Sequence, residues 1–275
     1  MVKCYRKTVS LSDIWVSSND KVSDFYASSW QRGESPLPLL VVRVLLAAVA
    51  LGILVFSLTS GASPYWPIYL TNWGLIMLTM MTLSGLIVSW VAVCKSTFKE
   101  TSDLPWYVST YWFLYNIAVS NALIITVLFW SLLYKSENYE DDDDGRLFWL
   151  DISTHAINSC VALTEVLASR TPVRLLHFYQ PLSIGLWYAA FTAVYYAADG
   201  TDGNGNPYIY EVLDWNEGNR AGAIVAASAA GLLVIYLMVW GLAFCRDKIS
   251  ISLIRTISHN LPTVPDTRLD TRILE

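Results

Sequence analysis

Six long apolar segments alternate with polar segments along the chain. They cover residues 37–58, 68–93, 107–133, 148–167, 178–198 and 221–244. A helix of about 20 apolar residues spans the hydrocarbon core of a bilayer, so each segment is long enough to cross it. The fourth and fifth segments are the weakest, because polar side chains interrupt the fourth and Gln180 and Pro181 begin the fifth. The pattern predicts an all-α membrane protein built as a six-transmembrane helical bundle.

The apolar segments divide the chain into three predicted parts. Residues 1–36 form an N-terminal tail, 37–244 a six-helix transmembrane domain, and 245–275 a C-terminal tail. Of the 18 Lys and Arg residues, 14 lie in the two tails and in the second and fourth loops. Cytosolic loops carry the excess of Lys and Arg in membrane proteins. Both termini are therefore predicted to be cytosolic, which agrees with an even number of crossings.

Composition supports the membrane class and excludes a nucleic-acid partner. Hydrophobic residues make up 54% of the chain and charged residues 15%, whereas a soluble domain carries about 25% charged residues. A net charge of −5 provides no basic surface for nucleic acid. No Cys/His spacing suggests zinc and no Gly-rich phosphate loop occurs, so neither a metal nor a cofactor is expected.

The fourth apolar segment carries a row of polar residues, here called the polar seam. Its members are Asp151, Thr154, His155, Asn158 and Glu165. At about 100° per residue they fall within one arc of about 100° on a helix. Ionisable groups in hydrocarbon are costly, so the seam should face a protein interior or a water-filled pocket. A structural role, with the seam bonded to headgroups and neighbouring helices, and a functional pocket both remain open.

Thr71 is the candidate partner of His155. It follows Pro67, which suits the first turn of the second helix. At about 1.5 Å per residue, Thr71 and His155 lie about 6 Å and 10 Å below the starts of their helices, counted from the same membrane face. A Thr hydroxyl beside a neutral imidazole is a nucleophile–base pair for acyl transfer, with Asp151 or Asn158 orienting the ring. The alternative is a Thr that bonds back to its own helix.

Two further features receive ordinary interpretations. Arg43, seven residues into the first helix, is expected to extend its side chain to the inner headgroups. In the fifth loop Asp202, Asn204 and Glu211 have calcium-loop spacing, but Gly200 occupies the first ligand position, so a tight turn is the better account.

A channel that gathers cations at acidic outer loops is the weakest functional class, because only one helix carries a dense polar seam.

Several stretches of the sequence resemble the rolling stone family. They read PWYVSTYWFLYNIA, DISTHAINSCVALTEVLASRTPVRLLHFYQP and YIYEVLDWNEGNRA, and the likeness covers nearly the whole chain. The resemblance implies a multi-pass plasma-membrane protein that acts in myoblast fusion during muscle formation. Its partners would be membrane lipids and cell-surface proteins. Periodicity and spacing carry no information on fusion.

The chain is also similar, more distantly, to the androgen-induced membrane hydrolases, which cleave fatty acid esters of hydroxy fatty acids. In that family a His is followed ten residues later by a Glu on one helix, as are His155 and Glu165 here. The family's Thr lies in an F-L-T-like opening of an earlier helix, where this chain has Tyr69, Leu70 and Thr71. This resemblance implies that Thr71 is a nucleophile and His155 its base.

Overall fold

The computed structural model describes residues 14–16, 19, 21–60, 63–95, 103–134 and 145–255. Within these ranges the chain is helical, and the extended pairing consists of one isolated bridge between Ser28 and Ser169. The all-α prediction is confirmed. The acidic third loop and most of the C-terminal tail lie outside the described residues.

Six helical rods overlap the six predicted segments. They are α1 (Leu37–Ser60), α2 (Leu70–Cys94), α3 (Trp106–Leu128, extended by the π-helical turn Phe129–Leu133), a rod formed by α4 (Arg146–Ile152), the π-helical turn Ser153–Ile157 and α5 (Asn158–Ala168), then α6 (Tyr179–Ala197) and α7 (Gly218–Ser250, extended by the π-helical turn Ile251–Arg255). Short 3-10 turns occupy Val22–Phe25, Trp66–Ile68, Leu175–Phe178, Glu211–Leu213 and Trp215–Glu217. We call the fourth rod the α4–α5 rod.

Four of the described helices are long and apolar enough to cross a membrane. They are Leu37–Ser60, Leu70–Cys94, Trp106–Leu133 and Trp215–Arg255. The polar seam lowers the apolarity of the α4–α5 rod, and Gln180 and several tyrosines do the same for α6. The fold is that of an integral membrane protein with at least these four candidate spans.

Successive rods run in opposite directions. Ser57 near the end of α1 donates a hydrogen bond to Asn72 at the start of α2, with 3.3 Å between Oγ and Oδ1. Arg246 near the end of α7 donates to the Val166 carbonyl near the end of α5, over 2.6 Å. Arg43 near the start of α1 donates to Glu165 near the end of α5, so the start of α1 and the ends of α5 and α7 share one end of the bundle, here called the proximal end. The opposite end, with residues 63–69 and 198–217, is the distal end.

Close packing of α2 against α3 depends on two glycines. A Cβ at Gly74 would lie 2.5 Å from the Ile125 side chain, and a Cβ at Gly85 would lie 2.9 Å from the Tyr111 ring. Small residues allow helix backbones to approach closely in membrane bundles. The two glycines allow α2 to lie close to α3, in which Tyr111 and Trp112 are fully buried.

Residues 21–33, here called the N-terminal segment, pack against the proximal end. Phe25 is fully buried and its ring meets the Trp112 ring edge-on, with 5.1 Å between centroids. The Ser29 amide donates to the Ala168 carbonyl over 2.8 Å. Arg170 donates to the carbonyls of Ser28, Gln31 and Gly33. The N-terminal segment therefore belongs to the folded bundle, while the predicted domain boundaries stay a prediction.

Candidate functional site

An apolar cavity of about 130 Å³ lies between α2, α3, α6 and α7 in the distal half of the bundle. Half of its lining residues are leucine or isoleucine, and they come from the helices and from the loop between α6 and α7. The polar residues on its lining are Thr71, Asn121, His155, Tyr188, Tyr210 and Ser228. A mostly apolar pocket with a few polar groups is typical of small-molecule binding sites.

The structure brings Thr71 and His155 to the wall of this one cavity. Thr71 is half-buried in the first turn of α2, and His155 is 4% exposed. The Nε2 atom of His155 lies 4.0 Å from the Asp151 carboxylate. The Nδ1 atom has no hydrogen-bond partner among the described residues. A Thr71–His155 catalytic pair stays a prediction, with both side chains facing the same space.

The position of the His155 ring is set by the end of α3. The ring stacks on Phe129, with 3.6 Å between centroids and 3° between planes. Thr126 donates a hydrogen bond to the His155 carbonyl, and its hydroxyl lies 2.6 Å from that of Ser159. His155 is at the centre of the π-helical turn Ser153–Ile157, a type of distortion that occurs frequently at functional sites.

The remaining seam residues differ in their surroundings. Asp151 is half-buried beside His155, and Thr154 donates back to the Leu150 carbonyl of its own helix over 2.9 Å. Asn158 is fully buried, and neither atom of its amide has a hydrogen-bond partner among the described residues. An unpaired buried polar group costs roughly 1–3 kcal/mol. Asn158 is therefore a polar position whose side chain the described residues leave unsatisfied.

Glu165 lies in a separate buried ion pair at the proximal end. Its Oε1 atom is 2.7 Å from Nη2 of Arg43 and accepts a hydrogen bond from Tyr111 over 2.6 Å. Glu165 is ten residues from His155, or about 15 Å along the rod. The structure thus places Glu165 with Arg43 rather than beside His155.

The prediction that Arg43 extends to the headgroups is wrong. The side chain is 1% exposed and points into the bundle. Besides Glu165 and Tyr111, its guanidinium donates to the carbonyls of Phe25 and Gly85 and to the Ser89 hydroxyl. The physical reason is that five polar partners inside the protein replace water around the charge.

Tyr210, in the loop between α6 and α7, is a site residue that the sequence did not indicate. Its hydroxyl oxygen accepts a hydrogen bond from the Leu70 amide, with 3.0 Å between oxygen and nitrogen. The amide and hydroxyl of Thr71 lie beside the same oxygen. Tyr188 donates to the Ile68 carbonyl over 2.8 Å next to this group. Burial raises the pKa of the Tyr210 hydroxyl above its ordinary value. Because Tyr210 lies in an aperiodic loop, hydrophobic periodicity could not identify it.

The fifth loop contains a tight turn at the proposed calcium-loop residues. The Asp202 carboxylate accepts hydrogen bonds from the amide of Asn204 over 2.9 Å and from the amide of Asn206 over 2.8 Å. The Asn206 side chain donates to it over 2.9 Å. The carboxylate is thus occupied by its own loop, as the turn interpretation expects.

Comparison with known proteins identifies the family. A model of the family described as "Protein rolling stone" matches residues 1–264. The chain belongs to the rolling stone family. Protein rolling stone of Drosophila melanogaster is 29% identical over 256 residues, which are 90% of this chain and 90% of that protein. No solved structure matches the chain.

The family match spans every element that lines the cavity of this rolling stone family member. The cavity can hold an apolar molecule whose polar group meets polar side chains of the lining, which include Thr71, His155 and Tyr210. Acyl transfer would additionally require the Thr71 hydroxyl and a His155 ring nitrogen to come within about 3 Å of each other.

Proposed function

We propose that the protein acts in myoblast fusion at the plasma membrane. The observation that carries the proposal is membership of the rolling stone family, with a match from the N-terminal segment through α7. The myoblast role is the one that the sequence resemblance implies. Membrane lipids and cell-surface proteins would be its partners at the site of contact between cells.

Loss of the protein from muscle precursor cells tests this proposal. We expect such cells to remain mononucleate, and wild-type protein supplied in trans to restore multinucleate fibres. A surface variant such as Arg220→Ala, whose side chain is about half exposed, should restore fusion equally and serves as the matched control. Normal fibres formed without the protein would refute the role in fusion.

We further propose that all six rods cross the membrane, with both termini in the cytosol. At about 1.5 Å per residue, the α4–α5 rod of 23 residues and α6 of 19 residues measure about 34 Å and 28 Å. The hydrocarbon core is about 30 Å thick. Outward-facing Phe148, Trp149, Trp187 and Val194 are exposed on these rods, as lipid contact would require.

Epitope tags in intact cells test this topology. A tag inserted at Gly203, in the distal loop, should bind antibody without permeabilisation. Tags at either terminus should bind only after permeabilisation. A terminal tag that is accessible on intact cells would contradict the proposed orientation.

A second candidate function is hydrolysis of lipid esters within the membrane. The specific observation that favours it is that Thr71 and His155 line one cavity. The Thr71 hydroxyl would attack the ester carbonyl, lose its proton to His155 and form an acyl-threonine as the alcohol leaves with that proton. His155 would then take a proton from water, whose oxygen attacks the acyl group, so that the acid is released and Thr71 is restored. Asp151 would orient the His155 ring.

A fluorophosphonate activity probe tests the hydrolase. We expect the purified protein to be labelled, and Thr71→Ala and His155→Ala to lose the label. Thr164→Ala is the matched control, because this exposed threonine on the same rod bonds only to the Cys160 carbonyl of its own helix among the described residues. Labelling that survives Thr71→Ala would remove Thr71 as the nucleophile.

A further inference from the structure

The first turn of α2 lines the cavity. A residue much later in the chain accepts a hydrogen bond from its free backbone amide. The first amides of a helix have no partner within it. Tyr69 at the N-cap supplies no side-chain hydrogen bond. Instead the Leu70 amide donates to the hydroxyl oxygen of Tyr210, 140 residues later, and the amide and hydroxyl of Thr71 lie beside the same oxygen. A loop residue thus satisfies the helix end.

A helix N-terminus of this kind attracts oxygen acceptors and anions. Its amides carry partial positive charge and point out of the helix. The phenol oxygen of Tyr210 is a neutral acceptor that occupies this position between Leu70 and Thr71. An oxygen that carries more negative charge would interact with the same donors more strongly.

His155 gives a second, independent indication of a ligand. Its ring is 4% exposed and lines the same apolar cavity. Its Nδ1 atom has no hydrogen-bond partner among the described residues. A buried polar atom without a hydrogen-bond partner destabilises the protein. A polar group of a ligand in the cavity would therefore form a favourable hydrogen bond with Nδ1.

The rest of the lining sets the chemistry of the ligand. Ile124, Leu128 and Leu182 are representative of the walls, which are largely aliphatic. The volume of about 130 Å³ is close to that of an engineered apolar cavity of about 150 Å³ that binds benzene. A short length of hydrocarbon therefore fits inside, and a longer chain would extend between the helices into the lipid.

We propose that the cavity binds the carboxyl end of a single-chain fatty acid, and that Tyr210 is a displaceable cap. The carboxyl oxygen replaces the phenol oxygen as the acceptor of the hydrogen bond from the Leu70 amide. It also accepts a hydrogen bond from the Thr71 hydroxyl and contacts His155. The first methylenes of the chain lie against Ile124. The inference shares its cavity with the proposed hydrolase, but it does not require Thr71 to be a nucleophile.

The loop that carries Tyr210 is bonded to α6 and α7 by residues close to Tyr210. Trp215 donates to Thr192 of α6 over 3.1 Å, and Arg220 donates to the Glu211 carbonyl over 3.2 Å. These bonds hold the loop at Glu211 and Trp215, which both follow Tyr210 in the chain. Displacement of the Tyr210 cap then requires rotation of its side chain, while these two bonds remain in place.

Binding of a photoreactive palmitic acid to the full-length protein in phosphatidylcholine nanodiscs tests the proposal. Tyr210→Phe keeps the ring but removes the competing oxygen, so we expect binding to tighten about 2- to 10-fold, the range of one hydrogen bond. Ile124→Trp fills the cavity and should weaken binding at least about 10-fold. Tyr195→Phe is the matched control, since its hydroxyl bonds the Thr201 carbonyl and it lies outside the lining.

Palmitic acid methyl ester distinguishes binding of a free carboxylic acid from binding of an ester. Binding of the acid, with or without the ester, supports the site, whereas binding of the ester alone or of neither overturns it. Equal binding by the wild type, Tyr210→Phe and Ile124→Trp also overturns it. If Ile124→Trp does not fold, Ser228→Leu fills the same cavity from α7.

Thr71→Val distinguishes this site from the hydrolase. The variant keeps the Thr71 amide and removes the nucleophile. Thr71→Val also removes one proposed hydrogen bond to the carboxyl oxygen, so we expect fatty acid binding to weaken about 2- to 10-fold but not to be lost. Failure of the hydrolase therefore leaves this proposal standing, and failure of fatty acid binding does not depend on catalysis.

Discussion

At the scale of single residues, the main feature of the bundle is the buried pair of Arg43 and Glu165. The two residues are 122 positions apart and meet between α1 and α5, with 2.7 Å between Nη2 and Oε1. Tyr111 donates to the same carboxylate. A charge inside a protein is tolerated only when it is paired and hydrogen-bonded. The pair therefore links α1, α3 and α5 as one unit.

Removal of one partner should destabilise the fold strongly. In Glu165→Gln the buried guanidinium loses its counter-charge, and we expect the free energy of unfolding to fall by about 3–5 kcal/mol. Denaturant unfolding in detergent micelles, followed by circular dichroism, measures the change. The double variant Arg43→Met/Glu165→Leu should be less destabilised than Glu165→Gln, because no unpaired charge remains.

The exposed pair of Arg220 and Glu217 is the matched control. Its side chains are 47% and 58% exposed, with 2.9 Å between the charged atoms. Glu217→Gln should change the free energy of unfolding by less than about 1 kcal/mol, since exposed pairs contribute little. Equal effects of Glu165→Gln and Glu217→Gln would show that burial of the Arg43 pair does not govern stability.

The candidate site was only partly predictable from the sequence. Periodicity places His155 and Glu165 on one face of a helix, but it does not identify their neighbours. It therefore grouped Glu165 with His155 and directed Arg43 to the headgroups, although the two charges meet each other in the fold. Tyr210 reaches Leu70 across 140 residues from a loop without a repeating pattern. Such contacts depend on tertiary packing, which spacing alone does not encode.

At the scale of elements, hydropathy predicted five of the six rods to within two residues at each end. For example, the predicted segment 37–58 corresponds to Leu37–Ser60. The sixth rod differs, because α7 covers Gly218–Ser250 whereas the apolar stretch is 221–244. Its extra turns carry Arg246, which donates to the Val166 carbonyl at the proximal end. Polar contacts extend this helix beyond its apolar part, so hydropathy underestimated it.

The turn at Asp202 makes the distal loop sensitive to acid. Burial acts to raise the pKa of the Asp202 carboxyl, but hydrogen bonds from Asn206, Asn204 and Gly205 outweigh it and the pKa is lowered. A lowered folded-state pKa means that the carboxylate stabilises the turn fully above its unfolded value of about 3.9. This stabilisation is lost as the pH falls through the folded pKa. We expect hydrogen-exchange protection of the Asn204 and Asn206 amides to fall in that window.

Asp202→Asn provides the control for this pH dependence. The variant cannot titrate at residue 202, so its protection factors, corrected for the intrinsic exchange rate, should not change over the same pH range. A wild-type loop with equally constant protection would show that the ionised carboxylate does not hold the turn.

At the scale of the whole molecule, the N-terminal segment closes the proximal end of the bundle. The Phe25 carbonyl accepts a hydrogen bond from Arg43 over 2.8 Å, and the Ser29 carbonyl accepts one from Ser250 at the end of α7. The first and last rods are thus joined through residues that precede the first apolar segment. Because these contacts connect the buried ion pair, the central α3 and the N-terminal segment, we expect their stabilities to depend on each other.

This dependence predicts that a change outside the helices will destabilise the bundle. Phe25→Ala removes a fully buried ring that packs on Trp112, and we expect the free energy of unfolding to fall by about 3–5 kcal/mol. Trp15→Ala, at a position that is 65% exposed, is the control and should change it by less than about 0.5 kcal/mol. Both are measured by denaturant unfolding in micelles. If the N-terminal segment were only a tail, Phe25→Ala would match Trp15→Ala; a large loss would show that the segment stabilises the whole bundle.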